Sequence, residues 1–305
     1  MTQETGSLRG VVKALLPKFL RDMLRACLHY VQRVGRWAII LWQVRGATWT
    51  DQWTLIRSAF ASPISALRDP WKWQDPILLA DAEVTVRAVG RFLLRARSDD
   101  LWHVLPWREQ AILKAIASRL RPDDIFIDAG ANIGIYTVVA SRIVGPRGRV
   151  FAVEMMPETA DRLRNHIHIN DLQNVTVIRS ALSDQRGKTV TATVAPGKFG
   201  QASIAKSGEG CDGLSTVSVM TTTLDDVAVD IGRVRLMKMD LEGAELSALI
   251  GAPDLLKRLE FLIYESWGVA RSDNDAVDAH LLLAGFSLAP IDGNNCLGSK
   301  AACCV

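Results

Sequence analysis

Short apolar runs alternate with amphipathic stretches through the second half of the chain. Runs at 125–128, 149–153, 175–180, 235–239 and 260–264 have the length and composition of buried strands. Helical patterns fall between and after them, at 135–143, 158–169, 244–250 and 275–284, with Pro157 opening the second. A closing strand pair fits 286–290 and 294–297. This order predicts an α/β fold with a mostly parallel sheet between helices. Residues 187–219 interrupt it with Thr-rich, β-branched hairpin material around a soft loop at 207–213. Upstream, Glu83 to Ala96 reads as two short strands about Gly90, with Arg87, Arg91, Arg95 and Arg97 on a wet face. Residues 109–120 read as a helix that Pro122 ends, and Thr222 to Asp226 caps a short one.

The first 80 residues carry a different pattern. From Pro17 to Val44 a long helix is predicted, with Lys18, Arg21, Asp22, Arg25, His29, Gln32, Arg33 and Arg36 as one polar stripe. Phe19, Leu20, Met23, Leu24, Cys27, Val31, Val34, Ala38 and Leu41 fall largely on the other side. Such a helix could lie on an anionic membrane surface, or equally cover the main domain or a second subunit. Its longest charge-free run, Trp37 to Val44, is too short to span a bilayer. Residues 45–80 are Trp-rich, hold Pro63, Pro70 and Pro76, and read as short helices and loops; Trp71 and Trp73 could stack on a sugar ring or pack against the domain. The expected organisation is a basic helical extension at 1–80 and a main domain at 81–305.

Charge sharpens that division. The net charge of +3 gives no case for a nucleic-acid partner. Yet residues 1–122 hold 19 Lys/Arg and 10 Asp/Glu, and the remainder 17 and 23, so the front is basic and the back acidic. Five cysteines show no metal-ligand or disulfide spacing; the odd count and lack of a signal-peptide pattern favour a reducing cytoplasm. Cys303-Cys304-Val305 is not a prenylation box, because Ala302 occupies the fourth position from the end.

The candidate chemistry begins where the first core strand ends. Ile125-Phe-Ile closes in Asp128, and the loop Gly130-Ala-Asn132-Ile-Gly134 leads into a helix. Glycines let a backbone turn sharply and a ligand approach without meeting a Cβ. A pyrophosphate loop reads G-x-G-x-x-G. This one has different spacing, and its acid suits a cationic ligand such as S-adenosylmethionine (SAM). Glu154 ends the next strand, where a ribose diol is held by paired acceptors. That acid fits NAD as well as SAM, so the loop spacing carries the choice. Asp128, Glu154, Asp184, Asp240 and Glu265 all lie near strand ends, at the edge where open α/β sheets bind ligands. Like charges gathered there ask for a compensating cation.

FIDAGANIGIYT, AVEMMPE, NVTVIRSALSD, TTLDD and LMKMDLEGAELSALIGA together resemble the FkbM family of SAM-dependent methyltransferases, over about residues 83–290. The resemblance implies a Rossmann-like class I methyltransferase fold with a seven-stranded sheet, SAM as cofactor, and O-methylation of a sugar, glycolipid or natural-product hydroxyl. It also implies roles. Asp128, Gly130, Asn132 and Gly134 would form the cofactor loop, Glu154 would hold the ribose, and Ala181 and Asp184 would flank the adenine. Asp240 would face the methionine part or the acceptor, and Asp100 and Glu109 match two further acids of the family. Met155-Met156 intervene here before Pro157, where the family more often has proline directly after the acid.

An alcohol acceptor must lose its proton, so a general base is expected. Asp240 is the first candidate, followed by Glu242 and Glu265, with His103 behind them. Glu245, in the first turn of a helix, complements the helix dipole. Asp240, Glu242 and Glu245 have no rigid ligand spacing, and no metal is expected. Two other readings stand beside the methyltransferase: a nicotinamide oxidoreductase, against which Asp128 and the loop spacing argue, and a non-catalytic SAM-binding or membrane-scaffold protein. The acceptor and the oligomeric state are not encoded legibly.

Overall fold

The computed structural model describes residues 17–68, 75–204, 213–266 and 271–300. Trp71 and Trp73, most of the soft loop and the terminal cysteines lie outside these residues. In chain order the first elements are α1 (Lys18–Gln43), β1 (Val44–Gly46), α2 (Trp49–Arg68), β2 (Ala82–Val86), β3 (Gly90–Leu94), α3 (Asp100–His103) and α4 (Gln110–Arg119). The core follows: β4 (Ile125–Ala129), α5 (Ile135–Val144), β5 (Arg149–Val153), α6 (Pro157–Ile169) and β6 (Val175–Ile178). Then come β7 (Ala181–Leu182), β8 (Thr189–Val194), β9 (Ser203–Ile204), β10 (Ser215–Thr222), α7 (Leu224–Val227) and β11 (Val234–Met239). The chain closes with α8 (Glu245–Ile250), α9 (Pro253–Arg258), β12 (Leu259–Glu265), α10 (Arg271–Leu283), β13 (Ser287–Pro290) and β14 (Asn295–Ser299).

Seven strands form the main sheet in the order β13-β14-β12-β11-β4-β5-β6. The five from β12 to β6 are parallel, and β14 and β13 add antiparallel at one edge. The mostly parallel sheet is what the strand-helix alternation predicts, and its seven strands are the class I methyltransferase arrangement that the family resemblance implies. The central strands are apolar because both faces are covered. Phe126, Val150, Leu236 and Ile263 face one core, and Ile127, Phe151, Met237 and Leu262 the other. The hairpin material of 187–219 forms a separate four-stranded sheet, β7-β10-β8-β9, packed over Met156 and Ala181.

The front of the chain departs from expectation in three ways. Residues 49–68 form one 20-residue helix that carries Pro63 inside it, not short helices and loops. Asp51 fastens its start, accepting from the backbone N–H of Thr48 and of Glu83. Second, β1 pairs with β2 in a three-stranded antiparallel sheet, and Trp37, Ile40, Val44 and Leu55 share a core with Phe92 and Phe126. Sheet and core therefore run straight across residue 80. The sides of α1 are also reversed. Arg33, from the polar stripe, is buried and donates to the Ser62 carbonyl, while much of the apolar row faces outward.

Candidate active site

A cavity of about 210 Å³ opens at the C-terminal ends of the parallel strands. Two left-handed turns build its floor. In the first, Gly130, Asn132 and Gly134 adopt φ of 81°, 48° and 90°. In the second, after β11, Glu242 and Gly243 adopt 50° and 99°. A non-glycine residue there is strained, and other contacts must hold it. For Glu242 the clamp is Glu245, whose carboxylate accepts from the N–H of Leu241 and of Gly243. Glu245 is thus a turn fastener, in line with its first-turn position.

The glycines answer a need different from ligand clearance. A Cβ on Gly130 would come within 1.9 Å of the Asp240 carbonyl oxygen, and one on Gly134 within 2.3 Å of the Leu163 side chain. The loops pack that closely on the protein itself. The N–H groups of Gly130 and Ala131 donate to the Val153 carbonyl, tying the first turn to β5.

Glu154 lies at that junction, nearly buried and lining the cavity. One carboxylate oxygen accepts from the Asn132 N–H at 2.9 Å and the other from the Met156 N–H at 2.8 Å. Burial pushes its carboxyl up to about 7, against the pull of those two N–H groups. Each oxygen keeps a lone pair directed elsewhere. Val153, Met155, Ala181 and Leu182 supply apolar wall beside it.

At the other end the wall is charged. Lys238, buried next to the end of β11, places its Nζ 2.9 Å from Asp240 Oδ2 and 4.8 Å from the Tyr136 ring centre. Burial alone would lower the ammonium, but the charges of Asp240 and Asp128 outweigh it and raise it. Burial likewise favours a neutral Asp240, and the lysine overrides it, leaving Asp240 below the usual carboxylate range. Glu265 is pushed up to about 8 by burial and by the Asp240 charge. Glu242, at the solvent-accessible rim, is raised to about 7 by partial burial and then by Asp240 and Glu245; its access to water tempers that shift. Glu109 accepts from the Tyr136 hydroxyl at 2.6 Å and pairs with Arg108. Burial and Glu109 raise the Tyr136 hydroxyl, so it stays a neutral donor. His103 completes the wall, its Nε2 3.3 Å from Asp99 Oδ2.

Of the expected site residues, Gly130, Asn132, Gly134, Glu154, Ala181, Asp240, Glu242, Glu265 and Glu109 meet at this one cavity, as does His103. Three do not. Asp128 is fully buried behind the loop, accepts from the Thr137 hydroxyl at 2.6 Å, and lies opposite Lys238 in the sheet register. A strand-end acid can turn either way, and this one turns into the protein. Asp184 meets Ser183 and Ser247 outside the cavity lining. Asp100 grips Arg95 through both oxygens, at 2.9 and 2.7 Å, and the guanidinium stacks 3.5 Å over the ring of Phe199. Phe199 lines the cavity, so Asp100 acts on it at two removes. Lys238, Tyr136 and Asp99 were not singled out. A lysine inside the apolar run Leu-Met-Lys-Met was a readable signal for the first; the others depend on contacts between distant segments.

The profile of the methyltransferase FkbM domain matches residues 128–288, more than half of the chain. The chain belongs to the FkbM methyltransferase family. It is 31% identical over 192 residues to the hexuronic acid methyltransferase AglP of Haloferax volcanii, covering 60% of this chain and 72% of that one. It is 28% identical over 166 residues to the methyltransferase sdnD of Sordaria araneosa, covering 45% and 63%. Among solved structures it resembles an FkbM methyltransferase from Methylobacillus flagellatus at 17% identity, 64% and 60% coverage and a TM-score of 0.40.

As a member of this family the protein is a SAM-dependent methyltransferase, and SAM is its cofactor. The cavity suits that molecule on its own chemistry. Asn132 Oδ1 and Asp240 Oδ1 are buried without a hydrogen-bond partner among the described residues. Such atoms cost free energy unless a donor reaches them. A nucleoside diol, an apolar purine face and a cationic amino-acid end would find, in turn, a carboxylate, an apolar slot and carboxylates.

Proposed function

We propose that the protein transfers the methyl group of SAM to a hydroxyl oxygen of a sugar or another polyhydroxylated small molecule. The observation that carries this reading is the cluster of Asp240, Glu242 and Glu265 around Lys238 in the wall of the cavity that Glu154 also lines. The relative AglP is a hexuronic acid methyltransferase, which supports a sugar acceptor.

Glu154 takes the ribose diol, the Asn132 side-chain oxygen a polar donor of the cofactor, and Ala181, Leu182 and Met155 the adenine. Bound there, SAM supplies a methyl group already activated by its sulfonium. The chain's own task is to align the acceptor oxygen, exclude water and accept one proton. Asp240 is the fixed anion. Lysine pairing makes it a weak base, so its part is to orient the acceptor hydroxyl or a cationic group. Glu242 is better matched as the base, because its raised carboxyl gains and loses a proton near neutral pH. Glu265, neutral at pH 7, can donate a hydrogen bond to the acceptor.

Transfer from methyl-labelled SAM to a panel of uronic acids, neutral sugars, amines and thiols tests this. Label in a hydroxylated acceptor as an alkali-stable ether supports it. Label only in amines or thiols refutes it.

A further inference from the structure

Helix α1 packs with the wrong side out for a helix serving only its own core. Its buried residues are Arg33, Trp37 and Ile40. Leu24, Val31 and Trp42, one line at helical spacing, are 51, 65 and 61% exposed. Helix α2 repeats the arrangement. Leu55 and Ser58 are buried, and Trp49, Trp53 and Phe60 are 85, 60 and 73% exposed. Both helices pack on the body by their buried sides, so both apolar stripes point away from it. Isolated surface hydrophobes need no explanation, but two such stripes on helices in contact, each holding tryptophan, do.

The surrounding charge says what covers them. Residues 17–64 hold seven Lys/Arg and two Asp/Glu. Lys18, Arg45 and Arg57 are exposed, and exposed Arg87 lies 4.8 Å from the Trp42 ring centre. Asp51, one of the two acids, is engaged by backbone N–H groups at the helix start. A second copy meeting this face through a two-fold axis would set like charges against each other. An anionic surface would not. Tryptophan favours the boundary between headgroups and acyl chains, where its ring is buried and its N–H stays wet. No described helix is long and apolar enough to cross a membrane, so the fitting geometry is a pair of helices lying in the interface.

We propose that the outward face of α1 and α2 docks the protein on an anionic lipid bilayer. This stands whether or not the methyl acceptor is itself carried by a lipid. The test is co-sedimentation of the full chain with vesicles of equal parts phosphatidylcholine and phosphatidylglycerol, and with phosphatidylcholine alone. The expected result is binding to the anionic vesicles that weakens with salt. It should fall at least about tenfold in the triple variant Trp49→Ser, Trp53→Ser, Phe60→Ser, with SAM binding unchanged as proof of folding. Quenching of wild-type tryptophan fluorescence by brominated lipid is also expected and needs no variant. Absence of both sedimentation and quenching overturns the proposal, as does equal binding to neutral vesicles. A wild-type dimer in solution that the triple variant dissociates overturns it in favour of a second copy.

Discussion

Replacing Lys238 with methionine keeps most of the side-chain volume and removes the cation on which the carboxylates of the site depend. At 2.9 Å the Lys238–Asp240 pair is worth about 6 kcal/mol of attraction with an effective dielectric of about 20. The variant is relieved of burying an ammonium, and Asp240, its side chain 37% exposed, keeps access to water, so the net loss should be about 2–3 kcal/mol at pH 8. That is a large part of the roughly 5–15 kcal/mol that holds a domain together. The loss must depend on pH. In the wild type Asp240 lies below its unfolded value, so its contribution is full above that value and lost only in strong acid. Without Lys238 its folded value rises above the unfolded one. The penalty then grows as pH climbs past the ordinary carboxylate range and shrinks as the group is protonated. At about 1.36 kcal/mol per unit of upward shift, the gap between variant and wild type should narrow by about 1 kcal/mol or more from pH 8 to pH 5. Glu242 and Glu265 also lose the pull of Lys238 and add to the difference in the same direction, whereas Glu154 titrates in both proteins and largely drops out. Urea unfolding at the two pH values measures it, and adding Asp240→Asn should recover part of the loss. A loss below about 1 kcal/mol at pH 8, or one independent of pH, would refute the reasoning.

Other outcomes follow from the same geometry. Gly130→Ala sets a methyl group against the Asp240 carbonyl in a left-handed conformation; it should destabilise the protein by about 2 kcal/mol or more in thermal unfolding, and a neutral effect would remove the packing argument. Asp100→Asn leaves the Arg95 guanidinium buried with a weakened partner, so stability should fall by about 2–4 kcal/mol while SAM affinity of the folded fraction stays within about threefold; a large affinity loss without a stability loss would return Asp100 to the cofactor. If Glu242 is the base, the transfer rate should fall about tenfold per pH unit below about 7, and Glu242→Gln should flatten that limb and lower the rate about 100-fold or more; an unchanged limb would shift the role to His103 or Asp240.

The core was legible because buried parallel strands are short apolar runs with few polar interruptions, and because loop spacing survives in the sequence unaltered. Glu154 was legible for a related reason: one residue past β5, it stands at the edge that any ligand must use. Asp128 and Asp184 also lie near strand ends but turn away from the cavity. Their side chains are engaged by Thr137, in the helix that follows, and by Ser247, far along the chain. Asp100 was read from its place in the family and not from its partner, Arg95, which had been assigned to a wet strand face. The long α2 was missed because Pro63 and the tryptophans suggested a broken chain. What they did not reveal is that Ser58, bonded to the Leu79 N–H, and Asp51 anchor one continuous helix. The reversal of α1 was beyond pattern reading, since periodicity locates an apolar face but not the side from which it will be covered.

Calorimetric titration of the purified chain with SAM, repeated on Glu154→Ala, tests the central claim most directly. The cavity account predicts one site per chain in the wild type, and affinity weakened about ten- to a hundredfold when the carboxylate that accepts from Asn132 and Met156 is removed, with the fold retained. Unchanged affinity in that variant, or no binding by well-folded wild-type protein, would contradict it.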